Sequence, residues 1–416
     1  TPPPGTPLAG YSARSPKANT GARAPVFAKA LTLSNGINTV TIVAGDYLLP
    51  LPQLVQQVRQ RTGLARHELY FTASHTHSGP GGYQNGLFAE AALGHFDAGQ
   101  LDRMAGAMSR AVRDSRQDLT PVSVEITRLQ LPPAVAKTLI TNQITDQAGY
   151  GIIPVLQLWR RGSSSPAPMA TLLSFSAHPT FYGKLNHQVS PDYPGFVQRR
   201  LQKALGGEVL FAAGAVGGML PMSQGRIPAG QVARQKVQVA DMGRRLSDLI
   251  AANLDDSPHS ARTRDGVTVA GHWVGDRAPL ASVRVAVDLP SPVYHISEDL
   301  RLSPLFVHWL FHGDRTYVDA LRIGRGVLLG LPADYAGELA EATETWAARR
   351  DILSWITAFN GDYIGYVVPR ARYATDHYTT RDANAFGAAA GDLFQDTLHR
   401  LMQRLFPDAA KTPNSV

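Results

Sequence analysis

The sequence predicts a mixed α/β fold: central mixed β-sheets flanked by helices, with a metal site at the C-terminal ends of strands. Three observations predict it. Strand-like and helix-like patterns alternate along most of the chain. Two histidines, His75 and His77, stand two apart where an apolar run ends. A turn, Gly79-Pro80-Gly81-Gly82, follows and keeps the space before them open.

Taken in order, residues 1–25 are rich in Pro, Gly and small polar residues and read as an extended N-terminal lead-in. Runs of apolar and β-branched residues between turn signals predict strands at 27–33, 38–45, 68–75, 121–130, 153–160, 169–177 and 208–214. Further strands are expected at 267–273, 281–288, 319–331, 352–358 and 363–368. Helical spacing predicts helices at 52–61, 97–115, 191–205, 229–253, 334–348 and 381–405. It is clearest at 229–253, with Val232, Val237, Val239, Met242, Leu246 and Leu249. The polar, turn-rich stretch 254–280 reads as a lobe boundary inside one catalytic unit spanning 1–416. The apolar run 303–311 reads either as core or as the edge of an apolar substrate groove.

Composition narrows the chemistry. The chain has 416 residues, 44% hydrophobic and 18% charged, enough to bury a sizeable core. It has no cysteine, which excludes disulfides, thiolate metal sites and a cysteine nucleophile. Any metal must be held by His, carboxylate, Tyr or backbone oxygen. The net charge of +7 is spread along the chain, as on a soluble basic surface or one drawn to an anionic membrane or substrate. No basic stripe or module points to nucleic acid. No run approaches the roughly 18 apolar residues of a spanning helix. The chain opens on Thr1-Pro2-Pro3-Pro4 without methionine, which fits removal of an upstream segment.

The sharpest local signal is Phe71-Thr-Ala-Ser-His75-Thr-His77-Ser-Gly79-Pro-Gly81-Gly82. Side chains two apart on a strand share a face, so His75 and His77 are expected to point the same way. Two neutral imidazoles on one face suit a borderline-soft cation. The bland alternative is a pair of satisfied surface histidines. His178 ends the apolar stretch Ala170–Ala177 and precedes the Pro179-Thr180 turn, at the rim of the sheet. Alone, such a histidine serves as well in a core or at a surface.

These segments resemble the neutral/alkaline (non-lysosomal) ceramidases, zinc amidases that split the N-acyl bond of ceramide. His75-Thr-His77-Ser-Gly-Pro-Gly-Gly-Tyr83 is similar to that family's most characteristic segment. Ala177-His178-Pro179-Thr180, with Val189-Ser-Pro-Asp192-Tyr-Pro-Gly195, resembles its third-histidine segment. Leu331-Pro332-Ala333-Asp334-Tyr335 resembles its Val-Pro-Gly-Glu-Phe segment. Asn360-Gly-Asp-Tyr363-Ile-Gly-Tyr366-Val, then Tyr373, Tyr378 and Phe386-Gly387, resembles its tyrosine-rich segment. The resemblance implies a zinc ion held by His75, His77, His178, Asp334 and Tyr366, with Tyr378 as hydrogen-bond donor to the tetrahedral intermediate. It implies a small-molecule or lipid amide substrate, peripheral membrane contact, and a secreted or periplasmic location.

Departures from the pattern matter. Asp334 stands where the family has glutamate, and Glu338, one helical turn on, is a rival ligand. Leu220, in Gly214-Ala-Val-Gly217-Gly218-Met219-Leu220-Pro221, stands where the family has a serine implicated in catalysis. Gly218 holds a preceding polar position, and Ser223 is a substitute donor. Thr141–Asp146 lies near the expected substrate-binding arginine motif. The chain ends soon after 381–405, so the C-terminal β-sandwich of the long members is not expected.

Hydrolysis by metal-activated water needs no serine. Tyr378 then stabilises the oxyanion, Asp334 moves the proton, and Asp46 and Asp192 are expected to orient ligand histidines. Two alternatives stand beside an N-acyl lipid amidase. One keeps the metal and changes the substrate to another amide, an N-acyl amino acid or a lactone. The other is a non-catalytic lipid-binding metalloprotein.

Overall fold

The computed structural model describes residues 1–165, 167–222, 232–254, 262–275, 278–293, 303, 314–375, 377–380 and 383–409. Ser223 and, apart from Ser303, the run 303–311 lie outside the described residues. In chain order the first half contains β1 (Ala28–Ser34), β2 (Thr39–Gly45), α1 (Pro52–Thr62), β3 (Leu69–Phe71), α2 (Leu87–Leu93), α3 (Ala98–Gln117), β4 (Val122–Gln130), α4 (Pro133–Leu139), β5 (Ile140–Asn142), β6 (Ile152–Arg160) and β7 (Ala170–Phe175). There follow α5 (Asp192–Leu205), β8 (Glu208–Ala213), β9 (Met219–Pro221), α6 (Val232–Leu254), β10 (Arg262–Arg264), β11 (Val267–Val274) and β12 (Leu280–Asp288). The last are β13 (Arg315–Ile323), β14 (Gly326–Leu331), β15 (Asp334–Tyr335), α7 (Gly337–Ala348), β16 (Leu353–Ala358), β17 (Tyr366–Val367) and α8 (Ala389–Leu405).

The fold is mixed α/β, as the sequence predicts. Three sheets run β1-β2-β3, β10-β11-β4-β6-β7-β8 and β12-β13-β14-β16, with two-stranded pairs β15-β17 and β5-β9. The pairs β2/β3, β7/β8 and β14/β16 are parallel. All three larger sheets share one core, including Ile42, Leu172, Leu210, Leu321, Leu328 and Trp355. Helices α1 and α3 pack by the first sheet, α5 and α6 by the second, α7 and α8 by the third. Inside the stretch 254–280, β11 pairs along β4 from Thr268 to Val274. Among the described residues no helix is long and apolar enough to cross a membrane.

Hydrogen bonds between sheets draw strand ends together. Ala213 N–H donates to Ala73 O at 2.8 Å. The Thr72 hydroxyl donates to Ala358 O and the Ser174 hydroxyl to Ile356 O, each at 3.4 Å. The C-terminal ends of β3, β7, β8 and β16 therefore open onto one point, the usual place for a site in parallel α/β structure.

Several expected elements differ: the helix expected at 381–405 begins at Ala389, the one at 334–348 begins at Gly337 after β15, and the strand at 363–368 shrinks to Tyr366–Val367. The strand expected at 319–331 is a hairpin: Ile323 pairs with Gly326, and Gly324 takes φ 60° in the two-residue turn. The strand expected at 68–75 ends at Phe71, and the following residues form the site.

A buried acid outside that site gives a stability prediction. Glu344, on α7, is 2% exposed; it accepts a hydrogen bond from the Tyr150 hydroxyl and faces Arg128 Nη2 at 3.2 Å. Burial pushes its carboxyl from 4.5 up to about 7. Between those values the folded chain keeps a proton that the unfolded chain releases. The contribution is therefore greatest below the unfolded value and is lost as pH rises towards the folded one. Glu344→Gln should gain about 2–3 kcal/mol relative to the wild type on going from pH 5 to pH 8. Urea melts at both pH values check this; a pH-independent difference would rule it out.

Candidate metal centre

His75 and His77 do not share a strand face, because no strand reaches them. Their convergence comes instead from a left-handed backbone at His75, φ 63°, uncommon for a residue other than glycine. Ser74 N–H holds the chain to Gly45 O at 2.9 Å, and His77 N–H bonds Pro179 O at 3.2 Å. His178 follows the end of β7, its N–H on Met219 O at 2.9 Å. The ligand atoms of His75, His77 and His178 all lie within 4.8 Å of one another.

Each ring is oriented by a carbonyl. His75 Nδ1 meets Leu48 O at 2.9 Å, His77 Nδ1 meets Gly10 O at 2.8 Å, and His178 Nδ1 meets Val216 O at 2.9 Å. A carbonyl oxygen only accepts, so each Nδ1 carries the proton and each Nε2 presents a lone pair. His75 Nε2 lies 3.1 Å from His178 Nε2 and 3.2 Å from His77 Nε2. Two lone pairs at that distance repel. Zinc–nitrogen bonds are about 2.0–2.1 Å, so nitrogens this close can share one cation, which would turn the repulsion into coordination. Burial, then neighbouring histidine charge, holds His75 and His77 well below the ordinary histidine range, so both are neutral near pH 7. Phe359 packs on His75 with ring centroids 4.2 Å apart.

Asp334 faces the same point. Its Oδ1 lies 3.3 Å from His178 Nε2 and 3.6 Å from His75 Nε2. That oxygen is buried without a hydrogen-bond partner, whereas Oδ2 accepts from the Tyr363 hydroxyl at 2.6 Å. Strands β15 and β17 pair Asp334 directly with Tyr366. The Tyr366 ring lies parallel to that of His178, with centroids 6.4 Å apart, and its hydroxyl is 3.5 Å from that of Tyr378. The rival Glu338 is engaged elsewhere, by Asn142 Nδ2 at 2.8 Å and Arg372 at 3.3 Å. Gly217 permits the close approach: a Cβ there would lie 2.4 Å from Asp334 O. An unpartnered carboxylate oxygen beside the Nε2 atoms of His178 and His75, with His77 clustered next to them, fits a divalent cation such as zinc.

Asp46 and Asp192 do not orient the histidines. Asp46 accepts from Phe27 N–H and Gln198 Nε2, both at 3.1 Å. Asp192 accepts from Tyr193 N–H at 2.7 Å and Tyr182 N–H at 3.4 Å, and burial pushes its carboxyl up to about 7. Both acids tie loops, and backbone carbonyls take the role expected of them. Leu220 sits in β9 opposite Thr141 of β5. That pairing brings Gln143 to the mouth, where its Nε2 donates to the Tyr378 hydroxyl at 2.9 Å. Sequence reasoning missed Gly10, Tyr11 and Arg14 in the lead-in, and Phe359. Only Tyr363 carried a signal, as the first tyrosine of the Tyr363–Tyr366 pair.

No family model matches the chain, and no curated protein matches it in sequence. Solved structures do match in shape. The neutral ceramidase of Pseudomonas aeruginosa superposes with a TM-score of 0.75 at 16% identity, over 99% of this chain and 73% of that one. A ceramidase solved in complex with C2 superposes with a TM-score of 0.74 at 17% identity, over 96% of this chain and 73% of that one. Almost the whole chain, with its three clustered histidines, thus has the fold of the neutral ceramidases, at a sequence identity that marks a divergent bearer of that fold.

Proposed function

We propose that the protein is a zinc-dependent hydrolase that cleaves the amide bond of an N-acyl lipid of the ceramide class. What carries this reading is the meeting of three imidazole lone pairs and an unpartnered carboxylate oxygen, on a fold shared with neutral ceramidase. When bound, zinc supplies Lewis acidity and a water that is nucleophilic near neutral pH. The chain supplies the rest. Carbonyl-anchored imidazoles keep Nε2 aimed without reorganisation. Asp334 would hold the metal through Oδ1, and Oδ2, oriented by the Tyr363 hydroxyl, is the oxygen left to take a proton from water and pass it to the departing amine. Tyr366, beside Asp334 in the β15–β17 pair, completes the ligand set. Gln143 donates to the Tyr378 oxygen, which leaves the phenolic proton for the oxyanion that forms on the substrate carbonyl.

The test combines metal analysis with turnover of N-acyl sphingosine. Zinc uptake by metal-free protein and zinc-dependent release of fatty acid are the expected results; a folded chain that takes up no metal would overturn the reading. Tyr378→Phe should lower kcat about 10²-fold and leave KM little changed. An unchanged kcat would remove Tyr378 from the mechanism. Leu220 favours a second reading, because it offers no hydroxyl where the family has serine. On that reading the substrate is a different amide, an N-acyl amino acid or a lactone. A panel of amides and esters separates the two, and ceramide as the best substrate eliminates the second.

A further inference from the structure

The N-terminal lead-in reaches the metal centre. The Gly10 carbonyl is the acceptor that orients His77, at 2.8 Å. Arg14 Nη1 donates to Ala9 O and Arg14 Nη2 to His77 O, each at 2.7 Å. The Tyr11 ring lies 5.0 Å from the His77 ring, with the Arg14 guanidinium 5.1 Å from the Tyr11 ring centre on its other contact. Arg14 is 2% exposed and its Nε is buried without a partner. Burying a guanidinium for two carbonyl bonds is costly unless the contact has a use. Gly10 has φ 116°, and a Cβ there would lie 2.6 Å from His77 Cα. The approach therefore requires glycine.

His77 differs from the other two ligands. His75 and His178 are buried, His77 only partly so. Leu48 and Val216, which orient His75 and His178, lie in the short segments directly after β2 and β8. Of the three, His77 alone takes its acceptor from the lead-in that precedes β1, docked through Ala9 N–H on Gly79 O at 3.1 Å and Gly10 N–H on Ala92 O at 2.9 Å.

We propose that Gly10 and Arg14 form a hook that positions His77, so that zinc binding and docking of the lead-in strengthen each other. The proposal rests on the metal reading above. Linkage requires reciprocity: the factor by which the docked hook tightens zinc is the factor by which zinc tightens the hook. Outer-shell partners of metal ligands typically contribute 10–100-fold in affinity.

The experiment measures zinc affinity of metal-free protein by chelator competition, and amide exchange at Leu8, Ala9 and Gly10 with and without zinc. Arg14→Met keeps the apolar stem and removes both bonds; Gly10→Ala wedges the hook off His77. Each should weaken zinc about 10–100-fold. Arg14→Lys, which keeps a single donor group, should fall between and guards against a misfolded methionine variant. In the wild type, zinc should slow exchange at the three amides. Variants that bind zinc like the wild type, or exchange that ignores zinc, overturn the hook alone. A wild-type chain that takes up no zinc overturns the metal reading and the hook together.

Discussion

His178→Ala is expected to remove zinc-dependent stabilisation and to lower hydrolysis by about 10³-fold or more. The Lewis-acid contribution of a catalytic metal is several kcal/mol, and about 4 kcal/mol corresponds to about 10³ in rate. The ring is held at Nδ1 by Val216 O and faces His75 Nε2 at 3.1 Å, so its loss takes one nitrogen donor from the cluster. The stability effect follows from mass action. Zinc at about 1,000 times its Kd stabilises the folded chain by about 4 kcal/mol. At about 2.1 cal/mol/K per residue over 416 residues, each kcal/mol is worth about 1 °C, so zinc should raise Tm by about 4–5 °C. Thermal melts of wild type and variant, with and without zinc, check this. A variant whose Tm rises with zinc as much as the wild type's would show that His178 is not a ligand.

The site was partly legible because metal chemistry is written in side-chain types. His75, His77 and His178 are the right donors in a chain without cysteine, and each follows a strand end. What pattern reading mistook was the route. Alternation assumes a strand through 68–75, but the backbone turns left-handed at His75, a choice set by contacts to Gly45 and Pro179 that are remote in sequence. The orienting groups were illegible for a different reason. Every residue has a carbonyl, so nothing marks Gly10, Leu48 or Val216 as an acceptor. Carboxylates such as Asp46 and Asp192 draw the eye, yet they are spent on loop amides. Asp334 and Tyr366 were reached through the family resemblance alone, because no local pattern shows that the β15–β17 pairing makes them neighbours.

Asp334→Asn should act with opposite signs on the metal-free and zinc-bound protein. Without a cation, Oδ1 lies 3.3 Å from His178 Nε2, whose ring turns Nδ1 to Val216 O, and both residues are buried. Oδ1 has no donor to offset this, because Tyr363 engages only Oδ2. An amide of the same shape can keep its oxygen on the Tyr363 hydroxyl and turn its N–H₂ toward His178. The repulsion then becomes a hydrogen bond, worth about 1–2 kcal/mol to the metal-free fold. The same change removes the anionic ligand, so zinc should bind about 10²-fold or more weakly, and the zinc-induced rise in Tm should shrink. Urea melts of metal-free protein and chelator competition read the two effects separately. A merely structural aspartate would lose stability on this substitution and leave zinc affinity alone, and that outcome would refute the assignment. Opposed signs are what a binding site predicts. Groups that repel one another when empty are arranged for the ion that reconciles them, and the fold tolerates the repulsion because the sheets and carbonyls around it leave the side chains nowhere else to point.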